Sequence, residues 1–135
     1  MNDFIIMTDS CCDLPAQIAD TLDLSVLPLS FTINGKEHFN YLDNRDISSE
    51  YFYRLLREGT QCTTSAANAT AFLSAMEPIL EQGKDILCIC FSSALSTTCA
   101  SAQMAAKELA LKYPNNKIYV VDSLSASLGL SLIHI

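Results

Sequence analysis

The sequence predicts an α/β domain: a mostly parallel sheet with helices on both faces, plus a β-hairpin insertion. Short apolar runs at residues 4–8, 85–91 and 117–121 have the length and composition of buried parallel strands. Segments of helical periodicity alternate with them, the order expected of right-handed crossovers. Asn34-Gly35, set in a β-rich stretch, is the strongest two-residue hairpin signal.

The first strand halts at Asp9-Ser10. Asp13-Leu14-Pro15 then opens a helix, with Asp13 as its cap, Pro15 in its first turn, and Leu14, Ile18 and Leu22 spaced along one face. Residues 24–33 read as β-structure that turns at Asn34-Gly35 and returns through Glu37, His38 and Phe39. A cap and an early acid within residues 46–50 precede Tyr51, Phe52, Leu55 and Leu56, predicting a helix that ends at Gly59. Residues 60–68 are a polar loop. Residues 69–82 place Phe72, Leu73, Met76 and Leu80 on one helical face, with Gly83 as the stop and Pro78 as a kink or a new turn. After the strand at 85–91, the Ala-rich stretch 96–113 is a long helix ended by Pro114. The third strand ends at Asp122-Ser123.

At 135 residues the chain is long enough for one core. No stretch approaches the roughly 20 apolar residues of a membrane helix, so no stable membrane insertion is expected. The acidic amino terminus does not resemble a secretory signal, which predicts a cytoplasmic location. The net charge of −7 disfavours nucleic acid as a partner. An acidic chain holds an anion through local dipoles instead: backbone amides, hydroxyls and helix amino termini. The six cysteines fit neither a zinc ribbon nor a Cys-x-x-Cys pair and are expected to be reduced.

Each apolar strand ends in a polar group: Thr8-Asp9-Ser10, Ser92-Ser93 or Asp122-Ser123. The carboxyl ends of parallel strands are where ligands sit. Any one of these hydroxyls could be a helix cap, but five of the seven residues from Ser92 to Thr98 bear one, and a cap needs only one. Thr63-Thr64-Ser65 precedes another helix and can reach the same edge. Hydroxyl and amide donors suit a carboxylate or phosphate without a buried positive charge. The alternative is an enzyme, or an enzyme subunit, acting on a phosphorylated small molecule, with Asp9, Asp13 and Asp122 as Mg²⁺ ligands. Against catalysis, the sequence has no Gly-x-Ser-x-Gly elbow, no His beside the Ser pair and no Gly-rich phosphate loop. No cofactor is implied.

Taken together, Thr8-Asp9-Ser10 with Asp13-Leu14-Pro15, Val26-Leu27-Pro28-Leu29, Asp46-Ile47-Ser48 with Phe52-Tyr53, Thr64-Ser65, Ser92-Ser93-Ala94-Leu95-Ser96, Ser101-Ala102 and Val121-Asp122-Ser123 occur in the order of the DegV family of lipid-binding proteins, which the chain resembles over almost its whole length. The resemblance implies the first of two α/β domains, here residues 1–130, with a long-chain fatty acid held between the domains. It implies Thr64 and Ser93 as donors to the acyl carboxylate, with Ser65 and Ser92 as neighbours. It also implies a non-catalytic carrier that presents the fatty acid to a separate fatty acid kinase. Two departures stand out: Leu95-Ser96-Thr97-Thr98 replaces Leu-Ser-Gly-Thr, and Ala66-Ala67 replaces Gln-Pro. Residues 131–135 do not continue the pattern and read as a non-native tail, with the second domain lying beyond the sequence.

Overall fold

The computed structural model describes residues 3–131, so the expectation for the tail, His134 included, lies outside the described residues apart from the backbone of Ser131. Strand β1 (Phe4–Asp9) runs into a 3-10 turn (Ser10–Cys12) and helix α1 (Ala16–Thr21). Next come β2 (Ser25–Leu27), β3 (Leu29–Ile33), β4 (Lys36–Asn40), α2 (Ser49–Arg57) and β5 (Cys62–Ser65). The chain then alternates through α3 (Ala69–Glu81), β6 (Asp85–Cys90), α4 (Thr98–Lys112), β7 (Ile118–Asp122) and α5 (Leu128–Ser131).

Two sheets result. The larger is parallel with order β2-β1-β6-β7, and the smaller is antiparallel with order β4-β3-β5. Side chains alternate across the parallel sheet, as the period of two requires. Met7, Ile86, Cys88 and Cys90 point to one face and meet Phe72, Met76 and Leu80 of α3 and Ala102, Ala105 and Leu109 of α4. Small residues on α4 let the helix lie close to the strands, and each large side chain buried here contributes about 1.5–3 kcal/mol. A contact between Lys112 and Glu77, with the Tyr113 hydroxyl donating to Glu77 at 3.1 Å, ties the end of α4 to α3. The opposite face is covered in part: Cys12, Leu14, Ile89 and Leu130 form a second cluster beneath the 3-10 turn and α5. Phe4, Tyr119 and Val121 are exposed. Helices therefore flank both faces, unequally. No helix among the described residues is long and apolar enough to cross a membrane.

Most local expectations hold. Asn34 and Gly35 both take positive φ, 51° and 74°, which the tight turn between β3 and β4 requires. Ser48 caps α2 by accepting from the Tyr51 amide, and the chain leaves α2 through Gly59 at φ 83°. Asn68 caps α3 by accepting from the Ala71 amide at 2.9 Å.

Three expectations change. Asp13 does not cap α1: at φ 53° it closes the 3-10 turn, and Pro15 occupies the cap position without a side-chain bond. The turn's own cap is Asp9, four residues earlier, whose Oδ1 accepts from the Cys11 amide at 2.8 Å. Leu14, Ile18 and Leu22 do not form one buried face, because α1 starts after Leu14; Ile18 is 44% exposed and Leu22 40%. Residues 60–68 are not all loop, since β5 pairs with β3 over Ile33↔Cys62 to Ser30↔Ser65. Pro78 lies inside α3, which continues through it, so of the two expectations there the helix does not restart.

Candidate functional site

The carboxyl ends of β1 and β6 face the antiparallel sheet across a cavity of about 780 Å³, within the size range of small-molecule sites. Ser10 joins the two sheets beside this space: its Oγ accepts from the Leu29 amide at 3.1 Å and from the Asn40 side-chain amide at 3.2 Å. Leu14, Leu29, Phe31, Leu42, Ile47, Phe52, Phe91 and Leu95 make the walls largely apolar. Phe52 stands edge-on to Phe31 at 5.3 Å, and His38 stacks on Phe31 at 5.6 Å. Asp46 accepts from the Phe39 amide at 2.7 Å and contacts His38 at 3.3 Å, which anchors the loop before α2 to the hairpin.

Polar groups lie along one side. Thr64 and Ser65 on β5 are exposed to the cavity and stand beside Phe31 and Ser30 in the strand register. Ser96 and Thr97, just ahead of α4, also line it. Thr97 occupies the cap position of α4 without using its hydroxyl there, and Ser96 accepts from the Thr98 amide at 3.2 Å. A fifteen-residue helix therefore directs its positive end toward the cavity. Among the described residues, no Lys, Arg or His lines it, and Asp13 is its one acidic residue.

The four residues expected at the head group separate into two pairs. Thr64 and Ser65 line the cavity; Ser92 and Ser93 do not. Ser92 is buried and shapes the turn, its Oγ accepting from the Ala94 amide and its carbonyl from Leu95 and Ser96. Ser93 is exposed, and its amide donates to Asp122 Oδ1 at 3.1 Å. Hydrogen bonds from the Ser93 side chain and from the Leu124 and Ser93 amides hold the Asp122 carboxyl below its ordinary value. Ser96 and Thr97 were not singled out in the sequence, although the hydroxyl-rich run from Ser92 to Thr98 contains them.

The acidic residues named for Mg²⁺ serve separate turns. Asp9 caps the 3-10 turn, Asp122 accepts from Ser93 and Leu124, and among the described residues no group of three His, Cys, Asp or Glu is arranged to hold a metal ion. Asp9 is buried, and burial raises its carboxyl above the ordinary value. Cys11 lines the cavity, and burial pushes its thiol up to about 12, so it stays protonated and a weak nucleophile.

The DegV family model, described as an uncharacterised protein of that family, matches residues 3–135. A DegV domain-containing protein of Clostridium perfringens is 40% identical over 133 residues, which cover 98% of this chain and 45% of that protein. One from Staphylococcus aureus is 35% identical over 126 residues, covering 93% of this chain and 42% of its own length. The chain thus spans less than half the length of these curated relatives. The fold is similar to a fatty-acid-binding DegV family protein from Thermus thermophilus, with TM-score 0.83 and 28% identity over 98% of this chain and 45% of that one. It is likewise similar to a stearic-acid-binding protein from Eubacterium ventriosum, with TM-score 0.85 and 25% identity over 96% of this chain and 44% of that one.

Proposed function

The chain belongs to the DegV family, and from that premise we propose that it supplies the head-group half of a fatty-acid carrier. One observation carries this reading: a largely apolar cavity of about 780 Å³ whose polar groups gather on one side. A long-chain fatty acid has the same division, with one anionic end and an alkyl remainder. Thr64 and Ser65, with Ser96 and Thr97 at the start of α4, donate to the carboxylate. Hydrogen bonds to a charged group are the stronger kind, about 1.5–3 kcal/mol each, so neutral donors suffice where, among the described residues, no Lys, Arg or His lines the site. Ser92 and Ser93 support the head group indirectly, Ser92 by shaping the turn that carries Ser96 and Ser93 by tying that turn to Asp122. Among the described residues no Lys, Arg or His lines the cavity, which suits presentation of the acid to a separate fatty acid kinase rather than catalysis within this domain.

The test is mass spectrometry of lipid that co-purifies with the full-length gene product, beside Thr64→Ala, Thr97→Ala and Ser93→Ala. Long-chain fatty acid is expected on the wild type, with affinity reduced about tenfold or more in Thr64→Ala and Thr97→Ala. A smaller loss is expected in Ser93→Ala. Equal retention in Thr64→Ala would remove the hydroxyl assignment, and absence of fatty acid from every preparation would reject the carrier reading.

A further inference from the structure

We propose that Ser10, at the seam of the two sheets, is a further hydrogen-bond donor to the ligand's carboxylate, an inference that rests on the fatty-acid reading above. Ser10 lines the cavity although it is only 1% exposed. Its Oγ accepts two hydrogen bonds, from the Leu29 amide at 3.1 Å and from the Asn40 side chain at 3.2 Å. A serine hydroxyl has two lone pairs and one hydrogen. Both lone pairs are therefore engaged, and among the described residues the hydrogen is given to no acceptor.

The neighbouring polar side chains are used differently. The Thr8 hydroxyl donates to the Ile89 carbonyl at 2.9 Å, and Asp9 Oδ1 accepts from the Cys11 amide at 2.8 Å. Neither residue lines the cavity. Within the Thr8-Asp9-Ser10 group, Ser10 alone combines a place on the cavity wall with a donor left over. Buried polar groups in folded proteins satisfy their hydrogen bonds almost without exception, so a hydrogen kept at a cavity wall calls for an acceptor inside the cavity. The two bonds that fix Ser10 also prepare it. With one N–H on each lone pair, the O–H is turned away from Leu29 and Asn40, and accepting both bonds polarises it into a stronger donor.

The position suits a head group held by β5. Leu29 precedes Ser30, which pairs with Ser65. One residue along β3 and one strand across to β5 separate Leu29 from Ser65. With a rise of about 3.4 Å and a spacing of about 4.8 Å, that is roughly 6 Å of backbone separation. A carboxylate takes a hydrogen bond of about 2.7 Å from a hydroxyl on each of its two oxygens, so it bridges a gap of that order. An ionised carboxylate only accepts, which matches a wall that offers a donor with both of its own lone pairs occupied. Ser10 and Ser65 thus approach one head group from the parallel and the antiparallel sheet.

The test compares the full-length gene product with its Ser10→Ala variant, each checked for native circular dichroism, in titrations with palmitic acid and with hexadecan-1-ol. The two ligands share the alkyl chain and differ in the charge of the head. Ser10→Ala is expected to weaken palmitic acid by about tenfold or more and hexadecan-1-ol by less than about threefold, because bonds to a charged acceptor are the stronger kind. An equal loss for both ligands would assign Ser10 to holding the sheets together and overturn the proposal, as would no loss for palmitic acid. If Ser10→Ala does not fold, a crystal structure of the wild type with palmitic acid decides. A carboxylate oxygen within about 3 Å of Ser10 Oγ is expected, and a separation beyond about 3.5 Å would overturn the proposal. A wild type that binds no palmitic acid would instead reject the fatty-acid reading, and the role of Ser10 with it.

Discussion

Phe72 and Phe52 stand on successive helices of one small domain, yet their surroundings differ. Phe72 is 1% exposed between α3, α4 and the parallel sheet, among side chains that are nearly all buried. Phe52 is half-buried on α2, a helix with no fully buried residue, and it faces an open cavity across Phe31. The first region is close-packed and holds the fold together. The second is kept in place by a hairpin, side-chain caps and the Asp46 anchor, which leaves its inner surface available to a ligand. The difference teaches that close packing is confined to the face of the parallel sheet under α3 and α4, while the open space lies between that sheet's carboxyl edge and the antiparallel sheet.

Exchanging one residue type in both regions is the sharpest way to break the comparison. Phe72→Ala is expected to cost about 3–5 kcal/mol, because it combines lost burial with a cavity in a rigid core. Phe52→Ala is expected to cost only about 1–2 kcal/mol while weakening fatty-acid binding by about tenfold. Urea denaturation and a lipid-binding titration on both variants check this, and equal destabilisation would erase the distinction between the regions.

The caps give a smaller effect. Asn68→Ala at α3 and Ser48→Ala at α2 each remove one bond to a helix amide, worth about 1 kcal/mol. The loss at Asn68 is expected to appear in global unfolding, because α3 is part of the core. The loss at Ser48 is expected mainly as faster amide exchange within α2. Hydrogen-exchange mass spectrometry separates the two patterns, and a matching global loss in both would contradict the reading of α2 as locally held.

The smallest expected effect is a slope with pH. Burial raises the Asp9 carboxyl, so the native state binds its proton more tightly than the unfolded chain does. The resulting cost is absent below the ordinary carboxylate value and grows as pH rises through the folded one. Asp9→Asn keeps an oxygen that can accept from Cys11 and cannot ionise. Its stability relative to the wild type should therefore rise with pH, measured as the difference in Tm from about pH 3 to about pH 7. A flat difference would show that Asp9 carries no such cost.

The match between local signals and structure follows the range of the forces involved. Asn34-Gly35, Ser48 and Gly59 each act on backbone within a few residues, and each sits where the sequence places it. The alternation of apolar strands and helices likewise determined the parallel sheet, and Thr64 and Ser65 were recognisable as candidates from their hydroxyls and the family pattern. β5 was not recognisable, because Cys62–Ser65 has no apolar alternation of its own and becomes a strand only through pairing with β3. Asp13 failed as a cap for a similar reason: Asp9 takes the preceding turn, and that turn moves the start of α1 past Pro15.

Sequence alone thus determined the fold class, the hairpin, most helix ends and the set of residues from which a carboxylate site could be drawn. Only the tertiary structure decided which of those hydroxyls reach the cavity. Ser92, Ser93, Ser96 and Thr97 carry the same chemical group within six residues, but the turn buries the first, directs the second to Asp122 and delivers the last two to the cavity. Hydroxyl chemistry is a property of each residue, whereas its direction depends on the path of a backbone held by contacts from distant strands.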